Sequence, residues 1–341
     1  MSDRSFYLAT RGSALALAQT QVILDQCRAL FPELRFEMKV IKTTGDKLQG
    51  VSLASANLPK GLFTKELEAA LLNCEADLAV HSLKDLPTTL PEGLKLGAVS
   101  KRADVRDVLL YRDAAFLESE PKHEWAGASE PSKIPKRGFT PGATISQLPQ
   151  GAVVATSSTR RSAQLLELRP DLKIVPIRGN VGTRLNKLAA QAELDALVLA
   201  AAGLERLGLK IDSNGSLRGE NVANGLVANP ISTAQMLPCV GQAALGIEIR
   251  DDDALVQQIC DRLNDVPAMQ AVRAERAFLR GMGGGCQIPV GAYAQLRGNE
   301  LQMRVVSFLG NQPRRAEASG SVKDPEKLGG TLARAVGGGD Q

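Results

Sequence analysis

Residues 6–30 read FYLATRGSALALAQTQVILDQCRAL, a short apolar run followed by a stretch in which apolar residues recur with helical spacing. We predict a strand over residues 6–10 and a helix over residues 14–30. The same alternation returns downstream, with strands predicted at 78–81, 153–156, 174–177 and 196–200, and helices around 163–168 and 184–192. Strands that alternate with helices are typical of an α/β fold with mostly parallel sheets.

Three other regions break this alternation. Residues 118–150 are rich in Pro, Gly, Ser and Lys without a period, and residues 212–230 are loop-like. Both are therefore predicted to be insertions or linkers. From about residue 266, a helical stretch at 269–279 is followed by alternating residues at 302–306. This order predicts a small C-terminal α+β domain.

Composition excludes several classes of protein. Of 341 residues, 44% are apolar and 23% charged, as in a globular chain, and no apolar run is long enough for a membrane span. Lys and Arg outnumber Asp and Glu by only 41 to 37, and 4% of residues are aromatic, so we expect no nucleic-acid partner. Five cysteines without Cys-x-x-Cys spacing and two histidines argue against disulfides, a metal centre or a Ser/His/Asp triad. We expect a protein of the cytoplasm or of an organelle interior, not attached to a membrane.

Basic and hydroxyl side chains follow four of the predicted strands. They are Arg11 and Ser13, then Ser82 and Lys84, then Thr156, Ser158, Arg160 and Arg161, and finally Arg178 and Arg184. Ligands of open α/β sheets bind beyond the carboxyl ends of the strands, where helix N-termini also favour anions. Helix capping or a solvated charge would explain any one of these turns, but four together indicate a ligand with several negative groups. Because the chain has no Gly-x-x-x-x-Gly-Lys motif for phosphate, we expect several carboxylates.

Two further residues suggest chemistry. Asp85 follows Lys84 directly, and it is either a salt-bridge or N-cap residue, or a carboxylate that stabilises a cation on a bound substrate. Cys286 lies in residues 281–291, GMGGGCQIPVG. That stretch is either a flexible turn with an incidental buried thiol, or a loop without side chains through which a bulky group reaches the sulfur.

Seven stretches in order resemble the porphobilinogen deaminase family. They are residues 9–13 (ATRGS), 60–68 (KGLFTKELE), 79–85 (AVHSLKD), 156–161 (TSSTRR), 178–185 (RGNVGTRL), 202–206 (AGLER) and 284–289 (GGCQIP). The resemblance implies two lobes like those of a periplasmic binding protein, with the active cleft between them, and a third domain that carries the cysteine loop. The implied boundaries are 1–105 with 244–262 for the first domain, 106–238 for the second and 266–341 for the third.

The resemblance also implies a role for each matched residue. Cys286 would carry a dipyrromethane cofactor through a thioether, and Asp85 would be the catalytic carboxylate. The cofactor would be held by Ser82, Lys84, Thr156, Ser158, Arg160 and Arg161. Substrate would be bound by Arg11, Ser13, Lys60, Arg178, Arg184 and Arg206. The expected ligands are porphobilinogen and the growing polypyrrole chain, without a metal, and we expect a monomer.

Two departures from the family pattern are Ala155 and Ala243, which stand where glycine is usual. Each adds a methyl group near a turn, and neither removes a charged group. Two other functions remain open from the residues alone. A non-catalytic two-lobed protein that binds polycarboxylates would explain the arginines but not Asp85 or Cys286. A cysteine hydrolase is disfavoured because neither histidine is placed to activate Cys286.

Overall fold

The computed structural model describes residues 4–47, 63–119, 135–285 and 287–337. The chain forms two compact units, Met1–Val105 with Leu237–Gln341, and Arg106–Met236. The division into three domains at the boundaries given above stays a prediction. Within the described ranges, no helix is long and apolar enough to cross a membrane.

Fifteen strands and ten helices make up these described ranges. The strands are β1 (Ser5–Arg11), β2 (Arg35–Ile41), β3 (Leu78–Ser82), β4 (Leu94–Val99), β5 (Asp107–Arg112), β6 (Val153–Ala155), β7 (Lys173–Val175), β8 (Ala196–Ala200), β9 (Lys210–Ile211), β10 (Leu217–Arg218), β11 (Leu226–Pro230), β12 (Leu245–Arg250), β13 (Val290–Arg297), β14 (Glu300–Ser307) and β15 (Arg314–Ser321). The helices are α1 (Ala14–Leu30), α2 (Thr44–Lys47), α3 (Lys65–Leu72), α4 (Ala114–Ser119), α5 (Thr159–Leu168), α6 (Val181–Ala190), α7 (Ala201–Arg206), α8 (Ala254–Leu263), α9 (Val266–Gly281) and α10 (Pro325–Gly337).

The first unit contains a five-stranded sheet in the order β2–β1–β3–β12–β4. The pairs β1–β2 and β1–β3 are parallel, whereas β12 runs antiparallel to β3 and β4. Helices α1 and α8 cover this sheet, and Leu8, Ile23, Ile247 and Ile259 meet in one apolar core. This packing fixes the carboxyl ends of β1, which ends at Arg11, and of β3, which is followed closely by Asp85.

The second unit repeats the arrangement with the order β11–β5–β8–β6–β7. Strand β6 is parallel to both of its neighbours, β7 and β8, whereas β5 runs antiparallel to β8 and β11. In each sheet half of the strand pairs are parallel, because one strand, β12 in the first sheet and β5 in the second, runs opposite to both of its neighbours. The predicted α/β class is confirmed, with a mixed parallel and antiparallel sheet in each unit.

The two stretches predicted as insertions take part in the second unit. Residues 212–230 contain β10 and the edge strand β11, so the prediction of a loop there was wrong for 217–218 and 226–230. Of 118–150, residues 120–134 lie outside the described part. The remainder contains a 3₁₀ helix, Ile145–Gln147, and Ala143 and Leu148 are buried in the core of the unit.

The C-terminal α+β domain is confirmed. Strands β13, β14 and β15 form an antiparallel sheet, and α9 and α10 pack against it around Phe278 and Leu332. A Cβ atom at Gly329 would lie 2.1 Å from the carbonyl oxygen of Ala274, so glycine is required where the two helices touch.

The two departures from the family pattern differ in their backbones. Ala155 ends β6 and is fully buried, where an alanine side chain packs without strain. Ala243 has a φ of 72°, in the left-handed region that costs an L-residue about 1 kcal/mol. Glycine would adopt that conformation freely, which explains why glycine is common there.

Candidate active site

The carboxyl end of β1 carries the first two predicted site residues. Arg11 is half-buried, and its Cζ atom lies 4.2 Å from the centroid of the Phe63 ring. Such stacking on an aromatic face orients the guanidinium. Ser13 is the N-cap of α1, and its hydroxyl accepts a hydrogen bond from the Ala16 amide at 3.3 Å.

Asp85 lies on a short 3₁₀ helix, Leu83–Asp85, directly after β3. Its side chain is exposed, and no described residue forms a hydrogen bond or ion pair with its carboxylate. Lys84 is half-buried, and Ser82 exchanges hydrogen bonds with the amide group of Gln19 at 2.9 and 3.0 Å. Gln19 is buried on α1, so that helix fixes where the turn leaves the strand.

The turn is held along its whole length, and we call residues 82–88 the Asp85 segment. The Leu83 amide donates to the carbonyl of Ala244 at 3.1 Å. Farther on, Arg276 of α9 donates to the carbonyls of Leu86 at 3.1 Å and Pro87 at 2.6 Å. These bonds leave the Asp85 carboxylate exposed on a backbone that is fixed on both sides.

In the second unit, the structure places Arg160 and Arg161 around Asp107. Arg160 donates to one Asp107 oxygen at 2.6 Å, and Arg161 donates to the other from Nη2 at 2.7 Å and from Nε at 3.1 Å. All three side chains are buried. The two guanidinium groups hold the pKa of the Asp107 carboxyl far below its usual range despite the burial that opposes ionisation.

Three further arginines were predicted from the sequence in this unit. Arg178 is half-buried in the turn before α6, and Arg184 on α6 donates to the Gly179 carbonyl at 2.8 Å. Burial and the positive charge of Arg161 lower the pKa of Arg184. Burial also lowers the pKa of Arg206 at the end of α7 to about 10, although the Glu205 charge opposes this.

The hydroxyl and amide side chains at these turns cap helices. Ser158 is the N-cap of α5, and Asn180 is the N-cap of α6. Thr156 accepts a hydrogen bond from the Ser158 amide at 3.2 Å. Gly179 has a φ of 106°, and a Cβ atom there would lie 2.6 Å from Thr183, so the turn requires glycine. These hydroxyl and amide residues therefore do cap helices, which was the simpler interpretation of the turns, and the arginines lie in the same turns.

The charges of the second unit do not balance locally. Arg160, Arg161 and Arg184 are grouped together, and Asp107 is the carboxylate that pairs with the first two. In the described ranges, no acidic side chain contacts Arg184. A desolvated guanidinium beside a second cation is stabilised by a bound anion, so this set of donors fits a ligand with several carboxylates.

Two predicted site residues lie outside the described residues, Lys60 and Cys286. The three glycines before Cys286 are described, and Gly283, Gly284 and Gly285 have φ values of 96°, 68° and 103°. Three consecutive residues in the left-handed region require glycine, so the run is explained by backbone geometry. Among the described residues, no group of three or more His, Cys, Asp or Glu side chains could hold a metal ion.

Comparison with known proteins decides the family. The model of "Porphobilinogen deaminase, dipyromethane cofactor binding domain" matches residues 6–258, and that of the porphobilinogen deaminase C-terminal domain matches residues 269–336. The chain belongs to the porphobilinogen deaminase family. Porphobilinogen deaminase from Desulforudis audaxviator is 46% identical over 97% of this chain and 93% of its own. The one from Carboxydothermus hydrogenoformans is 40% identical over 96% of this chain and 91% of its own. The one from Thermus thermophilus is 41% identical over 98% of this chain and 95% of its own.

Three residues of the candidate site could not be identified from the sequence. Asp107 opens β5 about fifty residues before the arginines that it pairs with, and no motif links them. Gln19 looks like any polar residue of α1, and only the fold brings it to Ser82. Phe63 belongs to a matched stretch, but nothing in that stretch indicates that its ring lies against Arg11.

Replacing Asp107 with Asn should strongly destabilise the protein. The variant leaves two buried arginines without a counter-charge, so we expect the free energy of unfolding at pH 7 to fall by about 3 kcal/mol or more. Because the folded-state pKa of Asp107 is lowered, its contribution is present above the unfolded value of 3.8 and is lost as the pH falls below it. Urea unfolding from pH 7 to 3 should therefore show the difference from wild type narrowing below about pH 4.

Asp212→Asn is the matched control, since Asp212 and Arg218 form an exposed ion pair in the same unit. Its loss should cost under about 1 kcal/mol. If Asp107→Asn were no more costly than this control, the buried group would not depend on the Asp107 charge.

Proposed function

We propose that this member of the porphobilinogen deaminase family uses Asp85 and the arginines at the strand ends to join four porphobilinogen molecules head to tail, with loss of ammonia. The linear tetrapyrrole hydroxymethylbilane is then released by hydrolysis. The observation that carries this assignment of residues is the excess of guanidinium groups around Arg184, which suits a substrate with two carboxylates per ring.

Cys286 is the proposed attachment point of the dipyrromethane cofactor. Of the other cysteines, Cys27 and Cys260 are buried, and burial raises the pKa of each thiol to about 12, which makes them poor nucleophiles. The positive φ angles of the preceding glycines support a backbone shaped for access to Cys286. When bound, the dipyrromethane supplies the terminal pyrrole to which the first substrate is joined.

The cofactor's carboxylates would be held by the residues that the family resemblance assigns. These are Ser82, Lys84, Thr156, Ser158, Arg160 and Arg161. A guanidinium has five N–H groups, and Arg161 uses three of them on Asp107 and the Val198 carbonyl. Two therefore remain for a ligand, so pairing with Asp107 orients Arg161 without saturating it.

Asp85 is the proposed catalytic residue. Positive charge develops on the substrate pyrrole as ammonia leaves, and a carboxylate near the pyrrole N–H lowers the energy of that state. The exposed carboxylate on a fixed backbone supports this role, because a group that need not reorganise stabilises charge most effectively.

Substrate carboxylates would be bound by the remaining predicted residues. These are Arg11, Ser13, Lys60, Arg178, Arg184 and Arg206. The lowered pKa of Arg184 and of Arg206 supports their part in this, since a desolvated cation gains most from a bound carboxylate. We further propose that the protein acts as a monomer in the cytoplasm, where its cysteines stay reduced.

Replacing Arg184 with Leu should weaken porphobilinogen binding without unfolding the protein. Among the described residues the side chain donates one hydrogen bond, to the Gly179 carbonyl, so its removal takes away a ligand for substrate carboxylates and little packing. We expect the KM for porphobilinogen to rise at least about tenfold, as for one charge-assisted contact. Steady-state kinetics with confirmed cofactor content would measure this.

Arg218→Leu is the matched control, because Arg218 is an exposed arginine of the same unit that pairs with Asp212. It should keep the wild-type KM. An Arg184→Leu variant with unchanged kinetics would remove Arg184 from the substrate site.

A further inference from the structure

A buried acid–base pair lies directly behind the Asp85 segment. Nε2 of His81, at the end of β3, is 2.9 Å from a carboxylate oxygen of Glu248 on β12. In the strand register, Glu248 is opposite Ala79, so it is a diagonal neighbour of His81 on the same face. His81 is 6% exposed and Glu248 is fully buried.

The contact with His81 uses only one of the two carboxylate oxygens of Glu248. Its second oxygen, Oε1, is buried and has no hydrogen-bond partner among the described residues. A buried carboxylate oxygen without a partner is uncommon in folded proteins, so this one requires an explanation. The neighbouring acid is Glu68 on α3, and burial together with the Glu248 charge raises the pKa of Glu68.

The group that gains from the Glu248 charge is Arg276. This arginine is 6% exposed, and within residues 4–47, 63–119, 135–285 and 287–337 no carboxylate contacts it. Burial and the charge of Arg280 lower the pKa of Arg276 to about 10, and the Glu248 charge opposes that decrease. The Glu248 charge is therefore a group that favours the charged form of this buried guanidinium, which otherwise has Arg280 beside it.

His81 and Arg276 touch opposite ends of the Asp85 segment. His81 immediately precedes Ser82, where the segment begins, while Arg276 holds the carbonyls of Leu86 and Pro87 near its end. Arg280 adds a hydrogen bond to the Thr88 carbonyl at 3.3 Å. One carboxylate, Glu248, thus acts on both ends of the backbone that presents Asp85.

We propose that Glu248 is a positioning residue for the deaminase reaction: its charge holds His81 and Arg276, and through them the Asp85 segment, in the reactive position. This inference rests on the proposed role of Asp85. Without the Glu248 charge, the desolvated guanidinium of Arg276 is drawn toward water and releases the two carbonyls. Asp85 then moves relative to the substrate, although no group that binds substrate has been changed.

A displaced catalytic group changes the rate of chemistry more than it changes binding. A misplacement of a catalytic group by about 1 Å can lower the rate on the order of a hundredfold, so a smaller displacement of Asp85 should lower it about tenfold. We expect Glu248→Gln, which keeps the shape and can still contact His81, to lower kcat about tenfold. The KM for porphobilinogen and the amount of bound cofactor should stay within a factor of about two of wild type.

Asp77→Asn is the matched control, because Asp77 is also a buried carboxylate of the first unit. It precedes β3 at the end away from Asp85, where it accepts from the Tyr7 amide at 2.9 Å and pairs with Arg250. Its loss should reduce the free energy of unfolding as Glu248→Gln does and leave kcat within about twofold of wild type. A fall in kcat that is no larger for Glu248→Gln than for Asp77→Asn would overturn the proposal.

A double variant tests the connection through His81. If Glu248 and His81 act as one unit, His81→Asn with Glu248→Gln should lower kcat no further than the worse single variant. Independent effects that multiply would contradict the proposal.

If Glu248→Gln does not fold, Arg276→Lys tests the same connection, since lysine keeps the charge but cannot bridge two carbonyls. An unchanged kcat in that variant would overturn the proposal. Asp85→Asn measured beside these variants separates the outcomes, because normal turnover there would reject the role of Asp85 itself.

Discussion

Asp85→Asn is expected to lower turnover about a hundredfold or more while porphobilinogen binding changes much less, as for removal of a preorganised electrostatic group. The substitution keeps the size of the side chain and one acceptor oxygen but removes the negative charge that opposes the developing pyrrole cation. The arginines of the site still bind the substrate carboxylates. The measurement is kcat and KM, with the cofactor content of each preparation confirmed by mass.

Two further variants should be measured beside Asp85→Asn. Asp85→Glu should retain part of the activity, because its charge persists at a displaced position. Asp251→Asn should behave as wild type, since Asp251 is an exposed aspartate that follows β12 in the same unit. An Asp85→Asn protein that carries cofactor and turns over normally would reduce Asp85 to a structural residue.

Cys286→Ser is expected to abolish both the covalent cofactor and turnover. A serine hydroxyl is a far weaker nucleophile than a cysteine thiolate, so the thioether should not form. The intact mass of the variant should equal that of its sequence, whereas the wild-type protein should be heavier by two pyrrole units.

Cys74→Ser is the matched control, because Cys74 is an exposed thiol in the first unit. It should keep both the added mass and the activity. If the added mass survived in Cys286→Ser and disappeared from Cys74→Ser, the attachment site would be Cys74.

Local pattern was enough to predict the parts of the fold that lead into the site. Strand β8 lies at 196–200 and helix α1 at 14–30, as predicted, because periodic apolar residues and short turns are local signals. Helix α6 begins at Val181, three residues before the prediction, because Asn180 caps it. The positions of Arg11, Asp85 and Arg178 after strand ends follow from this alternation alone.

Long-range pairing could not be predicted from the same signals. Strand β11 ends in Pro230 and lies at a sheet edge, where its five residues give little periodic signal. The antiparallel direction of β5 and β12 depends on which strands, distant in sequence, they pair with in the sheet. For the same reason Asp107 could not be assigned to Arg160 and Arg161, nor Glu248 to His81, because no local pattern encodes a contact over fifty or more residues.

Substrate is proposed to be added stepwise to a group bound at Cys286, and the intact mass of the wild-type protein after brief incubation with porphobilinogen tests this. We predict a ladder of covalent species above the starting mass, up to four steps, each the mass of one porphobilinogen less ammonia. Digestion should place every added mass on the peptide that contains Cys286. Binding of porphobilinogen with no change in covalent mass and no product would contradict the account and indicate a protein that only binds polycarboxylates.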